Sequence, residues 1–213
     1  SQKAVYYLTG DTREAVAHSP YLERFRKKNI DVLFMTDPID EWVVQNLTEY
    51  DGKPLRNIAK GEIDLEEEED EEKTEEQKGR LQPVVEAVKN ALGDRVKDVR
   101  LSRRLTDSAC CLVADEAGLG IQMEKILKAI HQEVPAAKRI LELNPDHPLV
   151  QTMGSIVEKD GEHPKVGEFA ELLYDQALLT AGLPLSDPLT FTRRISDLMA
   201  HEAETLGSDG SGE

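Results

Sequence analysis

The feature that most constrains this 213-residue chain is an acidic segment at residues 62–76, which holds eleven carboxylate residues and a single base, Lys73. Like charges at this density repel one another, so we expect a solvated linker or an exposed helix. A calcium loop is a poor match, because it needs Asp and Asn at defined spacing around a glycine bend. The segment divides the chain into two parts, and we expect it to tune the geometry between them rather than bind a ligand.

Charge and composition exclude several classes of protein. The formal net charge is −16, and the acidic segment supplies −10 of it, which argues against binding of nucleic acid by that segment. No run of about twenty apolar residues is present, so we expect no membrane span. No signal peptide is recognisable, and the adjacent Cys110 and Cys111 cannot staple distant parts together, which favours a reducing, cytoplasmic location. The abrupt start with a strand suggests a piece of a longer chain.

The first part of the chain, up to about residue 60, has the pattern of a small α/β layered unit. Apolar runs at residues 4–8 and 30–35 predict strands, and a helical segment between them places the pair in parallel with a right-handed crossover. Ser19 and Pro20 predict a second helix start, with Tyr21, Leu22 and Phe25 facing inward. Asp51-Gly52 predicts a tight turn between two short extended pieces.

The stretch DPIDEWVVQ, at residues 37–45, contains the only tryptophan. Three carboxylates lie beside it, but Asp37 followed by Pro38 is a helix cap with proline at the first helical position, so we interpret these acids as a helix start. The helix would carry one apolar stripe of the kind that usually faces a core, formed by Ile39, Trp42, Val43 and Leu47. Trp42 lies at the edge of that stripe, so its burial does not follow from the pattern.

The second part predicts an α+β domain with a short three-stranded sheet. Strands are expected at residues 96–101, 109–114 and 139–143, with helices at 81–92 and 119–130 and a further helix started by Asn144-Pro145. The middle strand is apolar on both faces of its pleat, so both faces should be covered. Cys110 and Cys111 are therefore expected to serve packing, with redox sensing as the alternative.

Two final helices, at 164–181 and 188 to about 204, carry more apolar surface than one core requires. The first has one stripe of Val166, Phe169, Leu173 and Ala177 and a second of Leu172 and Leu179; the last has Phe191, Ile195, Leu198 and Met199. Such a surface left in water is an aggregation hazard, which favours self-association. A packed monomeric layer of three helices is the alternative. The tail from about residue 205 is expected to be flexible.

Motifs for catalysis or metal binding are weak. Gly10-Asp11-Thr12 is neither a dinucleotide-binding nor a Walker glycine loop, and Thr12 has no evident base. His131, His147, His163 and His201 lack companions at metal-ligand spacing. We therefore assign no catalytic residue and no metal ligand.

Four strings resemble the ninety-kilodalton heat-shock chaperones, especially the bacterial form, over residues 1 to about 200. They are YYLTGDTREAVAHSPYLERFRKKNIDVLFMTDPIDEWVVQNLTEYDGK, VKDVRLSRRLTDSACCLVADE, ILELNPDHPLVQ and LLYDQALLTAGLPLSDP. The resemblance implies that residues 1–77 are the end of the family's middle domain and residues 78–213 its C-terminal dimerisation domain.

The resemblance also implies a function without catalysis in this chain. The ATP- and magnesium-binding domain of the intact chaperone would lie upstream, so no cofactor is expected here. The last two helices would pair with their copies in a four-helix bundle, a homodimer interface that would comprise Phe169, Leu172, Leu173, Leu179, Phe191, Ile195, Leu198 and Met199. Non-native client proteins would contact Trp42 and a second element formed by Leu119, Met123, Ile126 and Leu127.

Other partners follow from the same comparison. Co-chaperones of the bacterial cytosol are possible partners, whereas the tail lacks the acidic pentapeptide with which eukaryotic members dock helical-repeat co-chaperones. Two other functions stay open on the residues alone. One is a non-catalytic adaptor whose acidic linker recruits basic proteins, and the other is a small nucleotide-binding α/β domain that uses the Gly10 turn.

Overall fold

The computed structural model describes residues 2–63, 65, 71–132, 137–161 and 163–209. Its strands are β1 Val5–Thr9, β2 Val32–Met35, β3 Glu49–Tyr50, β4 Lys53–Asn57, β5 Val96–Leu101, β6 Cys110–Val113 and β7 Arg139–Leu143. Its helices are α1 Arg13–Ala17, α2 Glu23–Lys27, α3 Asp40–Asn46, α4 Glu71–Leu92, α5 Ile121–Ala129, α6 Pro148–Lys159, α7 Pro164–Thr180 and α8 Pro188–Asp209. Within these ranges, no helix is both long enough and apolar enough to cross a membrane.

The predicted strands form two small sheets. In the first sheet the order is β2-β1-β4-β3, and β1 is parallel to both β2 and β4. β3 and β4 form the predicted hairpin, in which Asp51 and Gly52 both have positive φ, the conformation of a type I′ turn. In the second sheet the order is β5-β7-β6, with β5 parallel and β6 antiparallel to β7. A mixed α/β architecture and the short three-stranded sheet are therefore confirmed.

Several helix starts differ from the predictions. α3 begins at Asp40 rather than after Asp37, and its N-cap Ile39 makes no side-chain capping bond. α6 begins at Pro148 rather than Pro145, because the Nδ1 atom of His147 accepts the bond from the Leu149 N–H. A helix can begin at a proline that follows a side chain able to accept this hydrogen bond, and the sequence offers two such prolines.

The acidic segment and the tail lie partly inside helices. α4 starts at Glu71, so it contains the end of the acidic segment as well as the helix predicted at 81–92. Residues 64 and 66–70 lie outside the described residues. The tail was predicted to be flexible from about residue 205, but α8 continues to Asp209, and residues 210–213 lie outside the described residues.

Two hydrophobic cores lie on the two faces of the second sheet. On one face, α4, α6 and α7 pack over Cys110, Leu112, Leu141 and Leu143. On the other face, residues from both parts of the chain form what we call the shared core: Leu8, Val16, Tyr21, Leu22, Phe25, Ile58, Ile63, Leu105, Cys111, Val113 and Ile140. The strand β6 is buried along its whole length, as its two-sided apolar pattern predicted.

A backbone bridge also joins the two sheets. The Gly61 N–H donates to the Ala114 carbonyl at 3.0 Å, and the Ala114 N–H donates to the Ala59 carbonyl at 3.0 Å. The two parts of the chain therefore share main-chain hydrogen bonds as well as a core. The domain boundary near residue 77 stays a prediction.

Candidate functional site

Helix α3 presents its apolar side to solvent. Ile39, Trp42, Val43 and Leu47, which we call the α3 stripe, are all exposed, with 45% of Trp42 accessible. A stripe of this kind usually faces a core, and here it does not. The buried residue of α3 is Glu41, which is only 5% exposed. The helix therefore packs through a carboxylate and leaves its apolar residues outward.

The pleat of β1 explains where Glu41 lies. Leu8 points into the shared core, so the alternating residue Tyr7 lies on the opposite face of the first sheet. Burial and, next, the charge of Glu41 raise the pKa of Tyr7, while a hydrogen bond with Asn57 opposes them. Glu41 of α3 therefore lies near Tyr7, on the outer face of the first sheet.

The carboxylate of Glu41 is incompletely satisfied. Among the described residues no donor reaches its Oε1 atom. A buried polar atom without a partner costs about 1–3 kcal/mol of stability. The orientation of α3 therefore has a cost within this chain.

The predicted client-contacting residues near α5 fall into two groups. Leu119 is exposed, and Ile126 and Leu127 are half-buried. Met123 is only 2% exposed, so its flexible thioether offers no surface in this conformation. Trp42 lies on a different helix, and its grouping with the α5 residues into one surface stays a prediction.

The predicted dimer residues differ in exposure between α7 and α8. On α7, Leu173 is buried in the core under the helices, Phe169 and Leu172 are half-buried, and Leu179 is exposed. On α8, Phe191 is half-buried, whereas Ile195, Leu198 and Met199 are exposed, Met199 to 67%. We call these four residues of α8 the α8 stripe. Its last three side chains are exposed to solvent, Ile195 to 38% and Leu198 to 42%.

Charged side chains hold the start of α8 on α7. The Arg194 guanidinium lies 3.6 Å from the Glu171 carboxylate and 3.9 Å from that of Asp175. Hydrogen bonds from Arg95 lower the pKa of Glu171. Burial, followed by the neighbouring charge of Glu171, raises the pKa of Asp175. The first turns of α8 are therefore anchored, and its later apolar residues extend away from the core.

A buried charge cluster joins the two parts of the chain, and sequence patterns gave no signal for it. Glu142 on β7 accepts hydrogen bonds from Ser102 Oγ at 2.8 Å and from Arg104 Nε at 2.8 Å, and Arg100 adds a third donor group. Arg104 also donates to the backbone carbonyls of Ile58 and Gly61. Burial alone would lower the pKa of Arg104, but the charge of Glu142 raises it. Arg104 and Glu142 are both almost fully buried, and each has hydrogen-bond partners within the chain.

A second contact between the parts is made by Glu23 on α2. Its carboxylate accepts the backbone N–H groups of Thr106, Asp107 and Ser108 at 2.7, 2.8 and 3.1 Å. The Ser108 hydroxyl donates to it at 2.5 Å. One side chain of the first part therefore organises the loop between β5 and β6 in the second.

The remaining candidates are explained by packing. Both cysteines are free and buried, and burial raises the pKa of the Cys110 thiol to about 12, so a reactive thiolate is disfavoured. A Cβ on Gly10 would lie 2.5 Å from the Val16 side chain, so this glycine is needed for close packing of α1. In the described ranges, no group of three His, Cys, Asp or Glu residues could hold a metal ion.

Comparison with known proteins identifies the family. A family model described as "Hsp90 protein" matches residues 1–211, so the chain belongs to the Hsp90 family of heat-shock chaperones. Curated relatives carry the name "Chaperone protein HtpG". Those of Geobacter metallireducens and Geobacter sulfurreducens are 52% and 50% identical over 212 residues, and that of Magnetococcus marinus is 46% identical over 205 residues.

The coverage of these matches is unequal. They include 98%, 98% and 93% of this chain but 33%, 33% and 31% of the relatives. The chain therefore spans about a third of the length of the curated relatives it matches. The family predicted from the four sequence strings is confirmed. That the chain corresponds to the C-terminal part of the full-length family members stays a prediction.

Proposed function

We propose that this chain is the C-terminal part of a bacterial Hsp90-type chaperone, that it forms a homodimer through α7 and α8, and that it holds non-native proteins on exposed apolar side chains. The observation that carries the proposal is the outward orientation of both the α3 stripe and the α8 stripe. Contiguous apolar surface of this kind is typical of sites that bind other proteins.

The α8 stripe supports self-association. α8 has 22 residues, and its Arg194 forms an ion pair with Glu171 of α7. A four-helix bundle of two α7–α8 pairs would cover Ile195, Leu198 and Met199 and could bury roughly 1,600 Å², enough for a stable dimer. The bundle would bury the apolar surface that a single copy exposes to water.

The dimer is tested with Leu198→Glu, which should place an uncompensated charge in the interface and give a monomer. Ala200→Glu is the matched control, because residues two apart lie on opposite sides of a helix. Sedimentation velocity at micromolar concentration measures both. Because residue 198 is exposed in a single copy, Leu198→Glu should leave each copy folded. A cooperative melting transition of the monomer checks this. A dimeric Leu198→Glu would place the interface elsewhere.

Client binding is proposed for the α3 stripe together with Leu119. A permanently unfolded protein would bind weakly at each contact, and the two copies of a dimer would add their contacts. Each large aromatic anchor of such a surface contributes on the order of 1–2 kcal/mol. Met123 is buried, so we expect it to support α5 rather than to contact a client in this conformation.

The client surface is tested by Trp42→Ser and Leu119→Ser, measured for suppression of aggregation of an unfolded protein and for melting temperature. We expect weaker suppression with little change in melting. Met123→Asp is the contrasting variant, because it places a charge in a buried site and should lower the melting temperature. If Trp42→Ser lowers the melting temperature by several degrees and leaves suppression intact, Trp42 serves packing alone.

The proposal gives this chain no catalytic step. ATP and Mg²⁺ of the intact chaperone would bind in parts of the protein outside the 213 residues, and client release would be driven from there. Bacterial co-chaperones and a cytoplasmic location belong to the same proposal. A test is ATP hydrolysis by the isolated chain, which should not exceed that of the buffer.

A further inference from the structure

The α3 stripe lies in an acidic surrounding. Between Asn29 and Gly52 the sequence has no Lys or Arg, and its six acidic residues are Asp31, Asp37, Asp40, Glu41, Glu49 and Asp51. Asp31, Asp37 and Asp51 are exposed, whereas Glu49 alternates with Tyr50 and lies on the face of the sheet opposite to that of Tyr50. Carboxylates in low-salt water act over about 10 Å, so they raise the local concentration of positively charged groups near the stripe.

The apolar area extends beyond α3 on the same face of the first sheet. Leu33 lies beside the outward-facing Tyr7 in the register of β1 and β2, and it is exposed. Tyr50 pairs with Lys53, which lies two residues from Leu55 and thus on the same face as it, so one positive charge lies among the acidic residues on this face. Leu55 pairs with Val5, which alternates with Tyr6 and so shares the face of Tyr7. The exposed Leu33 and Tyr50 therefore flank α3 at opposite edges of the sheet.

We propose that this surface, which consists of the α3 stripe with Leu33 and Tyr50, selects non-native segments that combine apolar side chains with Lys or Arg. The inference rests on the proposed function, since it names the class of client for the same site. The apolar side chains would supply the binding energy, and the acidic surrounding would supply charge selection and a faster encounter. Acidic apolar segments would be disfavoured by like charge.

Trp42 is the only tryptophan in the chain, so its fluorescence reports occupancy of this surface directly. Two tryptophan-free, unstructured peptides serve as probes, with the same apolar residues and either four lysines or four glutamates. We expect the lysine peptide to shift Trp42 emission to the blue and to bind roughly tenfold more tightly at low salt. The preference should shrink at 0.5 M salt, where charges are screened within about 5 Å.

Two variants separate local charge selection from the acidity of the whole chain. Asp31→Asn, Asp37→Asn and Asp51→Asn together remove three exposed charges around the surface and should reduce the preference to about twofold. Glu86→Gln, Glu158→Gln and Glu168→Gln together remove the same charge elsewhere and should leave the preference unchanged. Both triple variants replace exposed carboxylates with isosteric amides, and equal melting temperatures confirm that both are folded.

The outcomes distinguish this inference from the proposed function. If both peptides shift Trp42 emission with equal affinity, clients bind at α3 without charge selection, and only the inference is overturned. An equal effect of the two triple variants would likewise overturn it, because the preference would then reflect net charge. If neither peptide changes Trp42 emission while unfolded proteins are still held, the site of client binding lies elsewhere and both statements fail for α3.

Discussion

The regions around Glu142 and Glu41 both bury a carboxylate, yet the first supplies hydrogen-bond donors to both oxygens and the second leaves one oxygen without a donor. Glu142 is surrounded by donors from Arg100, Ser102 and Arg104, and every contact lies within the chain. Glu41 has an Oε1 atom that no described donor reaches, and the helix that carries it turns its apolar residues outward. A buried carboxylate with all its hydrogen bonds made is typical of a fixed contact within a chain, whereas Glu41 leaves one oxygen unsatisfied beside exposed apolar surface.

The largest effect should come from breaking the satisfied region. Arg104→Met leaves Glu142 with fewer donors and removes the guanidinium from the Ile58 carbonyl, while Arg100 still reaches that of Gly61, so we expect a loss of about 3–5 kcal/mol in the free energy of unfolding. Urea denaturation measures it. The double variant Arg104→Met and Glu142→Met should recover much of the loss, because no unpaired charge then stays buried. A loss below about 1 kcal/mol for the single variant would show that the cluster is not a fixed contact.

A smaller effect is expected at the second contact between the parts. Glu23→Gln replaces one accepting oxygen with an amide that must face the N–H groups of the loop at 106–108, which should cost about 1–3 kcal/mol. Hydrogen exchange should become faster for those backbone amides before it does for β6 or β7. Glu14→Gln, at an exposed position of α1, is the control and should change neither quantity. Unchanged exchange in Glu23→Gln would mean that the loop holds its shape without Glu23.

The smallest effect should come from the unsatisfied region, and it should have the opposite sign. Glu41→Leu removes the unpartnered oxygen and should raise the free energy of unfolding by about 1 kcal/mol. Because the α3 stripe stays outward, the emission of Trp42 should keep its wavelength. A loss of stability in Glu41→Leu would mean that the carboxylate has a stabilising partner, and the contrast with Glu142 would then disappear.

The elements of this fold could be predicted from sequence, whereas contacts between them could not. Apolar runs and turn residues indicated all the longer strands, because those signals act over a few residues. The bonds of Glu23 to residues 106–108 join positions 83 to 85 apart, and no local pattern reports them. The pairing of Arg104 with Glu142 is hidden for the same reason, since the two residues lie 38 positions apart.

The candidate site was predicted in its residues but not in its orientation. Periodicity shows that Ile39, Trp42 and Val43 share one side of a helix, but it does not show which side faces the sheet. Tertiary packing near Tyr7 determines which side of α3 faces the sheet. The same limit applied to Met123 in α5. Its position on an amphipathic helix predicted an exposed side chain, but Met123 is buried. The start of α6 was missed because Asn144 and His147 each precede a proline.

The shared core also has a consequence for how the protein is made. A ribosome delivers Leu8, Phe25 and Ile58 long before Val113 and Ile140, which complete the same core. The first part of the chain therefore has no finished apolar interior while the second is still being translated, and sequence-distant contacts of this kind slow folding. During that interval the nascent first part exposes the inner face of its sheet as well as the outer one, so a chaperone of this architecture would itself be an aggregation-prone nascent chain until β7 is synthesised.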